Sequence, residues 1–364
     1  MAITIDPPKN STLRNVDFTK LRDFTADAFI RAGLSKKDAI VAADVLATTD
    51  AWGVFTHGTK LVRGYLRRLR AGGLVPQAQP EIAAEGPAWA VVDGNCALAM
   101  ITSTFAMNTA IAKAKTAGIA FVTVRNSCHF GAAGYYSWLA AQSGMVGLSM
   151  ANDIPSVAAP GSRGAITGSN PIAYAIPGGR YPAILLDMSV ATVAGGKVYA
   201  ARTRGEKIPP TWLVGSDGKP TTDPSGYPES GALQPAAGHK GYGIALLIES
   251  LSGLISGAEF TWRVGSWMWD DGTKPTNHGA AFIAIDVNAM MPLNKFTQRV
   301  ETLIDEIHNS ARADGVDRLY VPGEMEWERL NKAMKAGIAL PLDVRDSLRE
   351  AGAMVGLDFE DVVA

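Results

Sequence analysis

Six side chains able to move a proton or orient a ligand stand beside glycines or at the ends of apolar runs: His57, His129, Asn152, Asn170, Asp187 and Lys240. His129 has the most informative setting. It lies in Arg125-Asn126-Ser127-Cys128-His129-Phe130-Gly131-Ala132-Ala133-Gly134-Tyr135-Tyr136, directly after the apolar run Ile119 to Val124. That order predicts a strand, a glycine-bearing turn and a helix, with the histidine at the carboxyl end of the strand, where open α/β sheets expose their chemistry. An imidazole titrates near neutrality and can donate or accept a proton without extreme tuning. Taken alone, the residue equally fits a histidine that satisfies backbone groups at a strand end. The recurrence of such groups favours a cleft holding an acid/base with ligand-orienting donors.

Other chemistries lack their motifs. The chain has no GxGxxG fingerprint and no GxxxxGK[ST] phosphate loop, so neither usual nucleotide cradle is present. There is no HExxH, and a metal triad of His57, His129 and Asp187 has no ligand spacing in its favour, so no metal is expected. The GxSxG of serine hydrolases is missing as well.

The positioning elements follow from periodicity. Phe18, Leu21, Phe24, Ala28, Phe29 and Ala32 recur at helical spacing up to Gly33, and Ser35 with Asp38 has capping-box spacing ahead of Val41, Val45 and Leu46. Thr56 or Thr59 can cap the next helix, which ends at Gly72-Gly73, so His57 is expected at a helix N-terminus. Strands are predicted over 88–93, 119–124, 145–151 and 183–189, with a helix over 100–117 between the first two. Gly161, Gly164 and Gly168 give a loop that admits close backbone approach, by a ligand or within an ordinary turn. Pro209 to Pro235 reads as a turn and a long surface loop. The helix after Lys240 is apolar nearly all round and is expected to be buried, with Lys240 and unpaired N–H groups converging at its start where a phosphate can sit. Trp262, Trp267 and Trp269 line a pocket, an interface or the core. The tail continues as a helix over 296–311, an amphipathic helix from Met325, and a short one begun by Pro341.

The 364 residues suffice for two domains, and a formal net charge of −1 offers no general attraction to nucleic acid or anionic membranes. Small molecules and copies of the chain itself are the expected partners. Two cysteines, Cys96 and Cys128, form no disulfide framework, which suits a cytoplasmic setting. Residues 1–10 lack the order of a signal peptide, and no apolar run reaches the roughly 20 residues of a membrane span.

The segment Asn126 to Tyr136 closely resembles the signature of the malate/L-lactate dehydrogenase-like family of NAD(P)-dependent oxidoreductases, which includes ureidoglycolate, sulfolactate, diketogulonate and cyclic imino-acid enzymes. Thr56-His57-Gly58, Gly168 to Ala173, Leu186 to Ser189, Gly205 to Pro209, Asp217-Gly218 with Thr221 to Pro224, Lys240 to Gly243 and Pro322-Gly323-Glu324 match in family order across nearly the whole chain. The resemblance implies a homodimeric α/β protein with a mixed-sheet, non-Rossmann NAD(P)-binding domain at 81–311 and a second domain from the terminal segments 1–80 and 312–364, serving substrate binding and dimerisation. It implies hydride transfer between NAD or NADP and the 2-carbon of a 2-hydroxy, 2-oxo or imino acid. By position His129 would be the acid/base, with His57 and Asp187 assisting, and Thr56, Lys60 and Asn170 near the substrate. Asn152, Asp153, Asp187, Met188, Ser189, Lys240, Pro322, Gly323 and Glu324 would line the cofactor site, and Arg202 and Arg204 are candidates for reading an extra phosphate. One position departs: Leu61 stands where the family usually carries an Arg suited to a substrate carboxylate. Either Lys60 or Arg63 substitutes, or the substrate is a ketone without that carboxylate. A nucleotide-binding paralogue with altered catalysis is the remaining alternative.

Overall fold

A computed structural model describes residues 15–363, and the reading of residues 1–10 lies outside the described residues. α1 (Phe18–Arg31) opens on Asp17, whose carboxylate accepts from Lys20 N–H, and buries the Leu21, Phe24, Ala28 and Phe29 face. α2 (Lys36–Ala51) starts at Ser35, whose Oγ accepts from Asp38 N–H as the expected cap does, while the Asp38 carboxylate accepts from the Ser35 hydroxyl and not from its backbone N–H. A 3₁₀ turn (Thr59–Leu61) then feeds α3 (Val62–Ala71), which Gly72 ends in the left-handed region at φ 95. Neither Thr56 nor Thr59 caps a helix here. Gly58 leads the turn, and the Thr59 hydroxyl is drawn to Asp50 instead.

The central sheet has strand order β1 (Glu81–Gly86), β2 (Trp89–Asp93), β3 (Ile119–Ser127), β12 (His278–Asp286), β4 (Met145–Ala151), β7 (Ile172–Ile176) and β8 (Ile184–Met188). Only β2 and β3 run parallel within it, joined by the crossover helix α4 (Ala99–Ala117), and the other neighbours are antiparallel. A mixed sheet of this kind has no place for the glycine fingerprint of a fully parallel dinucleotide fold. The late strand β12 enters between β3 and β4 and pairs His278 with Ser127. That insertion carries the tryptophan-rich segment onto the end of β3, beside the helix α5 (Ala133–Gln142) that follows it.

A second sheet orders β10 (Pro220–Thr221), β9 (Leu213–Val214), β11 (Ala232–Leu233), β5 (Val157–Ala158) and β6 (Ala165–Thr167). With α6 (Gly195–Arg204) it encloses its own small core of Val157, Val198, Leu213, Tyr227 and Leu233. The segment 209–235 is therefore not merely a surface loop: its few apolar residues pair as three short strands, too brief for an alternating pattern to reveal.

α7 (His239–Glu249) runs into a π-helical turn (Ser250–Leu254). Its expected full burial is corrected. Ala245 and Ile248 face the sheet, whereas Leu247, Leu254 and Ile255 remain 53 %, 53 % and 60 % exposed. After β12 come α8 (Leu293–His308), α9 (Glu324–Ala336), α10 (Leu342–Val355) and α11 (Glu360–Val363). The helix behind Pro341 is thus 14 residues long rather than short. α10 packs on α3 and α1, α9 packs on α2, and Val16 bridges Ile338, so the chain's two ends share the main core with the central sheet.

Candidate active site

β3 ends where its backbone is redirected. Asn126 adopts φ 52, held by its side-chain amide donating to both Asp93 oxygens at 2.9 Å, and the chain then turns through His129 and Gly131 into α5. The half-buried imidazole of His129 meets three groups. Its Nδ1 lies 2.7 Å from the Tyr65 hydroxyl, the Gly131 N–H points to the same nitrogen at 3.4 Å, and Trp267 stacks on the ring at a centroid distance of 4.6 Å. His57 is next to it, with ring centroids 5.5 Å apart and planes 30° from parallel.

His57 is presented by a turn that Asp50 anchors. Asp50 Oδ2 accepts from the Thr59 N–H at 3.0 Å and the Thr59 hydroxyl at 2.5 Å, while its Oδ1 has no hydrogen-bond partner. Gly58 lies so close that a Cβ there would be 1.9 Å from that oxygen, which is why glycine follows His57. Burial pushes the Asp50 carboxyl up to about 7 against the two Thr59 bonds.

The surroundings favour the neutral form of His57 and His129. Burial first, and the nearby His57 second, lower His129 to about 3, with the charge of Asp153 opposing. Burial likewise lowers His57, again opposed by Asp153. Burial alone would raise Asp153, yet the hydrogen bond and charge of His278, 3.2 Å away, outweigh it and hold the carboxylate below its ordinary range. His278 is itself fixed through Nδ1, 3.0 Å from the Thr276 hydroxyl.

The remaining expected site residues separate into distinct settings. Thr56 is exposed, its hydroxyl 2.9 Å from His57 Nδ1. Lys60 forms an ion pair with Asp343 of α10 at 2.6 Å, and Arg63 pairs with Glu350 of the same helix, so both cations that stand nearest Leu61 already have carboxylate partners. Asp187 is hydrogen-bonded to the Gly134 N–H at the start of α5, at 2.7 Å, and not to either histidine. It retains solvent-accessible surface, but the surrounding protein raises its carboxyl to about 6, with Glu326 adding negative charge. Asn152 and Asn170 are buried scaffolding. Asn152 bridges Glu259 O and Gly279 N–H, and Asn170 accepts from Asp153 N–H and donates to Ala245 O and Glu249.

Ser189 accepts from the Ala191 N–H just beyond Met188, and Pro322 O accepts from Leu185 N–H in β8. Gly323, with φ 95, fits against Leu185, where a Cβ would meet backbone at 2.8 Å. Glu324 closes the segment by accepting from Val321 N–H and pairing with His308. The end of β8 and the 322–324 segment therefore form one neighbourhood.

Lys240 is exposed at the start of α7, but its own N–H and that of Gly241 bond to Ala237 O and Ala236 O. Two of the amides expected to be unpaired are therefore already bonded within the turn. Gly168 is filled by its own chain, with Asp153 O 2.4 Å from a virtual Cβ, so its small size serves a turn rather than a ligand. Arg202 and Arg204 pair with Glu229 and Glu206. Of the three tryptophans only Trp267 is buried on the site, while Trp262 and Trp269 are exposed. A cavity of about 380 Å³ on the Arg68 side of the 263–276 segment does not reach either histidine.

Asp50, Tyr65 and His278 were not anticipated as site residues. Tyr65 sits in a helix whose pattern explains it as core, and His278 opens a strand, so only the order of strands reveals them.

A family model described as malate/L-lactate dehydrogenase matches residues 16–349. The chain is 39 % identical over 337 residues to the L-sulfolactate dehydrogenase of Methanocaldococcus jannaschii, covering 93 % of this chain and 96 % of that one. It is 33 % identical over 324 residues to the ureidoglycolate dehydrogenase (NAD(+)) of Escherichia coli, covering 89 % and 92 %. Its fold superposes on the crystal structure of malate dehydrogenase from Entamoeba histolytica with a TM-score of 0.89 and 31 % identity, covering 96 % of this chain and 99 % of that one.

Proposed function

The chain belongs to the malate/L-lactate dehydrogenase family of oxidoreductases, and from that premise we propose that it transfers a hydride between NAD or NADP and the 2-carbon of a 2-hydroxy or 2-oxo acid, or the related imino acid, with His129 as the acid/base. The observation that carries this reading is the pairing of His129 with His57 at the carboxyl end of β3, 5.5 Å between centroids, under the cover of Trp267.

The donor set suits the cofactor. Asp187, Ser189 and Glu324 supply acceptors for ribose hydroxyls, and the exposed Lys240 supplies a cation for a phosphate, with Met188, Pro322 and Gly323 as apolar and backbone surface and Asn152 and Asp153 behind. When bound, the nicotinamide supplies or accepts the hydride. The chain's own work is to bind the substrate, exclude water and place a proton donor at the substrate oxygen or nitrogen, where negative charge develops as a carbonyl or imine is reduced. Burial favours the neutral form of His129, with the Asp153 carboxylate opposing only in part. A substrate carboxylate beside it favours the imidazolium, so the acid is made when the substrate arrives. His57 and Asp187 are assigned supporting roles in orientation and proton movement, with the Thr56 hydroxyl at His57 Nδ1 and Asn170 contributing from behind Asp153.

A second reading concerns the substrate. Lys60 and Arg63 are committed to Asp343 and Glu350, and Leu61 carries no charge, which favours a ketone without a carboxylate in that place. Residues 1–80 with 312–364, and 81–311, are proposed as the two domains, supported by the packing of α9 and α10 on the first three helices. A homodimer is supported by the exposed apolar face of α7 and its π-turn, which a second copy would cover. Free thiols at Cys96 and Cys128 accord with a cytoplasmic setting, and among the described residues no helix is long and apolar enough to cross a membrane.

The test is a panel of 2-oxo acids, cyclic imines and non-carboxylate ketones, each with NADH and NADPH, followed by nicotinamide absorbance. Turnover that disappears in His129→Ala while cofactor binding persists supports the assignment. Unchanged turnover in that variant removes it.

A further inference from the structure

Tyr65 touches His129 and has no role in the reading above. Its side chain is completely buried, it lies one turn beyond Leu61, and among the described residues the side-chain atom it meets at hydrogen-bond distance is His129 Nδ1, at 2.7 Å. The same nitrogen faces the Gly131 N–H at 3.4 Å. A backbone N–H can only donate. Were Nδ1 to carry the proton in the neutral ring, the two N–H groups would point at each other. With Nδ1 bare, both the Gly131 amide and the Tyr65 hydroxyl can donate to it.

We propose that Tyr65 is a positioning residue for His129: its hydroxyl, together with the Gly131 amide, keeps Nδ1 as an acceptor, so the neutral ring carries its proton on Nε2, the nitrogen left to face the substrate. Trp267, stacked on His129 at 4.6 Å and on Tyr65 at 5.5 Å, fixes the plane of both rings so that the bond cannot swing away. Burial holds the Tyr65 phenol well above its ordinary value, so it remains a hydroxyl across the working pH range.

The consequence is directional. An Nε2–H donor can hydrogen-bond to and polarise a carbonyl or imine, whereas a substrate hydroxyl would have to accept from it. The proton itself is delivered by the imidazolium, because loss of Nε2–H from the neutral ring would leave an imidazolate, and the Tyr65 hydroxyl then turns to accept from Nδ1–H. The free protein is therefore poised to receive the oxo or imino form of the substrate. This inference deepens the acid/base reading of His129 and rests on it.

The experiment is long-range ¹⁵N–¹H NMR of histidine-labelled full-length protein near neutral pH, with the His129 signals identified by their loss in His129→Gln. The wild type should show Nε2 protonated and Nδ1 in the acceptor position. Tyr65→Phe should lose that single-tautomer pattern and lower kcat for reduction by about tenfold, the scale of one hydrogen bond, with KM little changed. An Nδ1-protonated ring in the wild type overturns the proposal, as does a Tyr65→Phe protein with unaltered tautomer and kcat. If Tyr65→Phe does not fold, the wild-type spectrum still decides. Because the spectrum is read without turnover, its outcome is independent of whether His129→Ala retains activity, the result that would instead remove the acid/base reading itself.

Discussion

Trp267 lies nearly parallel to His129, with 4.6 Å between ring centroids and 22° between planes. The indole removes water from one face of the imidazole, and loss of water is the largest cause of the lowered pKa of His129. Trp267→Ala should therefore raise the His129 pKa from about 3 toward its ordinary 6.5 and cost about 3 kcal/mol of stability from the emptied volume. An NMR titration of the His129 ring checks the first effect and urea unfolding the second. A ring that titrates at the same pH in both proteins would show that the indole is not the cause.

Asp50 and His129 bend the pH dependence of stability in opposite directions. His129 has a folded pKa below its unfolded value, so the unfolded state binds the extra proton and stability falls as pH drops from 6.5 toward about 3. Asp50 has a folded pKa above its unfolded value, so the folded state holds the extra proton and stability falls as pH rises from 3.8 through about 7. Asp50→Asn removes the second slope. Its urea midpoints between about pH 4 and about pH 7 should rise with pH more steeply than those of the wild type. Parallel curves would mean that Asp50 is ionised throughout.

Gly58 has no room for a methyl group against Asp50 Oδ1. Gly58→Ala should cost about 1–3 kcal/mol and displace the turn that carries His57. The expected outcome is lower kcat together with a lower unfolding midpoint, and Asp50→Ala in the same chain should recover part of the midpoint. No recovery would separate the clash from Asp50.

The substrate class proposed above turns on Leu61. Leu61→Arg should raise kcat/KM for 2-oxo acids by about tenfold or more, as a charge-assisted pair does, and leave non-carboxylate ketones unchanged. Lys60→Ala removes only a surface ion pair with Asp343, so its stability cost should stay below about 1 kcal/mol. Were Lys60→Ala instead to abolish 2-oxo acid turnover with stability intact, Lys60 would be the carboxylate's partner after leaving Asp343.

The exposed side of α7 gives the oligomer test. Leu247→Glu with Leu254→Glu places two charges on the apolar face and should convert a dimer to monomers in sedimentation velocity. An unchanged sedimentation coefficient would put the contact between copies elsewhere.

Local periodicity and capping chemistry were enough to locate α1, α2, α4, the strands β2, β3, β4 and β8 and the turn bearing His129, because those patterns report which side of each element is apolar and where its backbone must end. The family resemblance rested instead on short motifs in a fixed order along the chain, from Thr56-His57-Gly58 to Pro322-Gly323-Glu324. Where the pattern is too short or the partner too distant, periodicity and capping said less: β9 to β11 are two-residue strands, and the outward Leu247 of α7 is as apolar as the inward Ile248. The sequence by itself thus carried the resemblance that implies the class of enzyme, and it singled out His57, His129 and Leu61 as candidate positions. Only the tertiary structure decided that Tyr65 bonds His129, that Trp267 rather than Trp262 or Trp269 covers it, that Asp50 supports His57, and that Lys60 and Arg63 turn toward α10. The reason is that each of those contacts depends on β12 entering between β3 and β4, or on α10 returning to α3, and a residue's own neighbours in sequence carry no record of which distant segment will cover it.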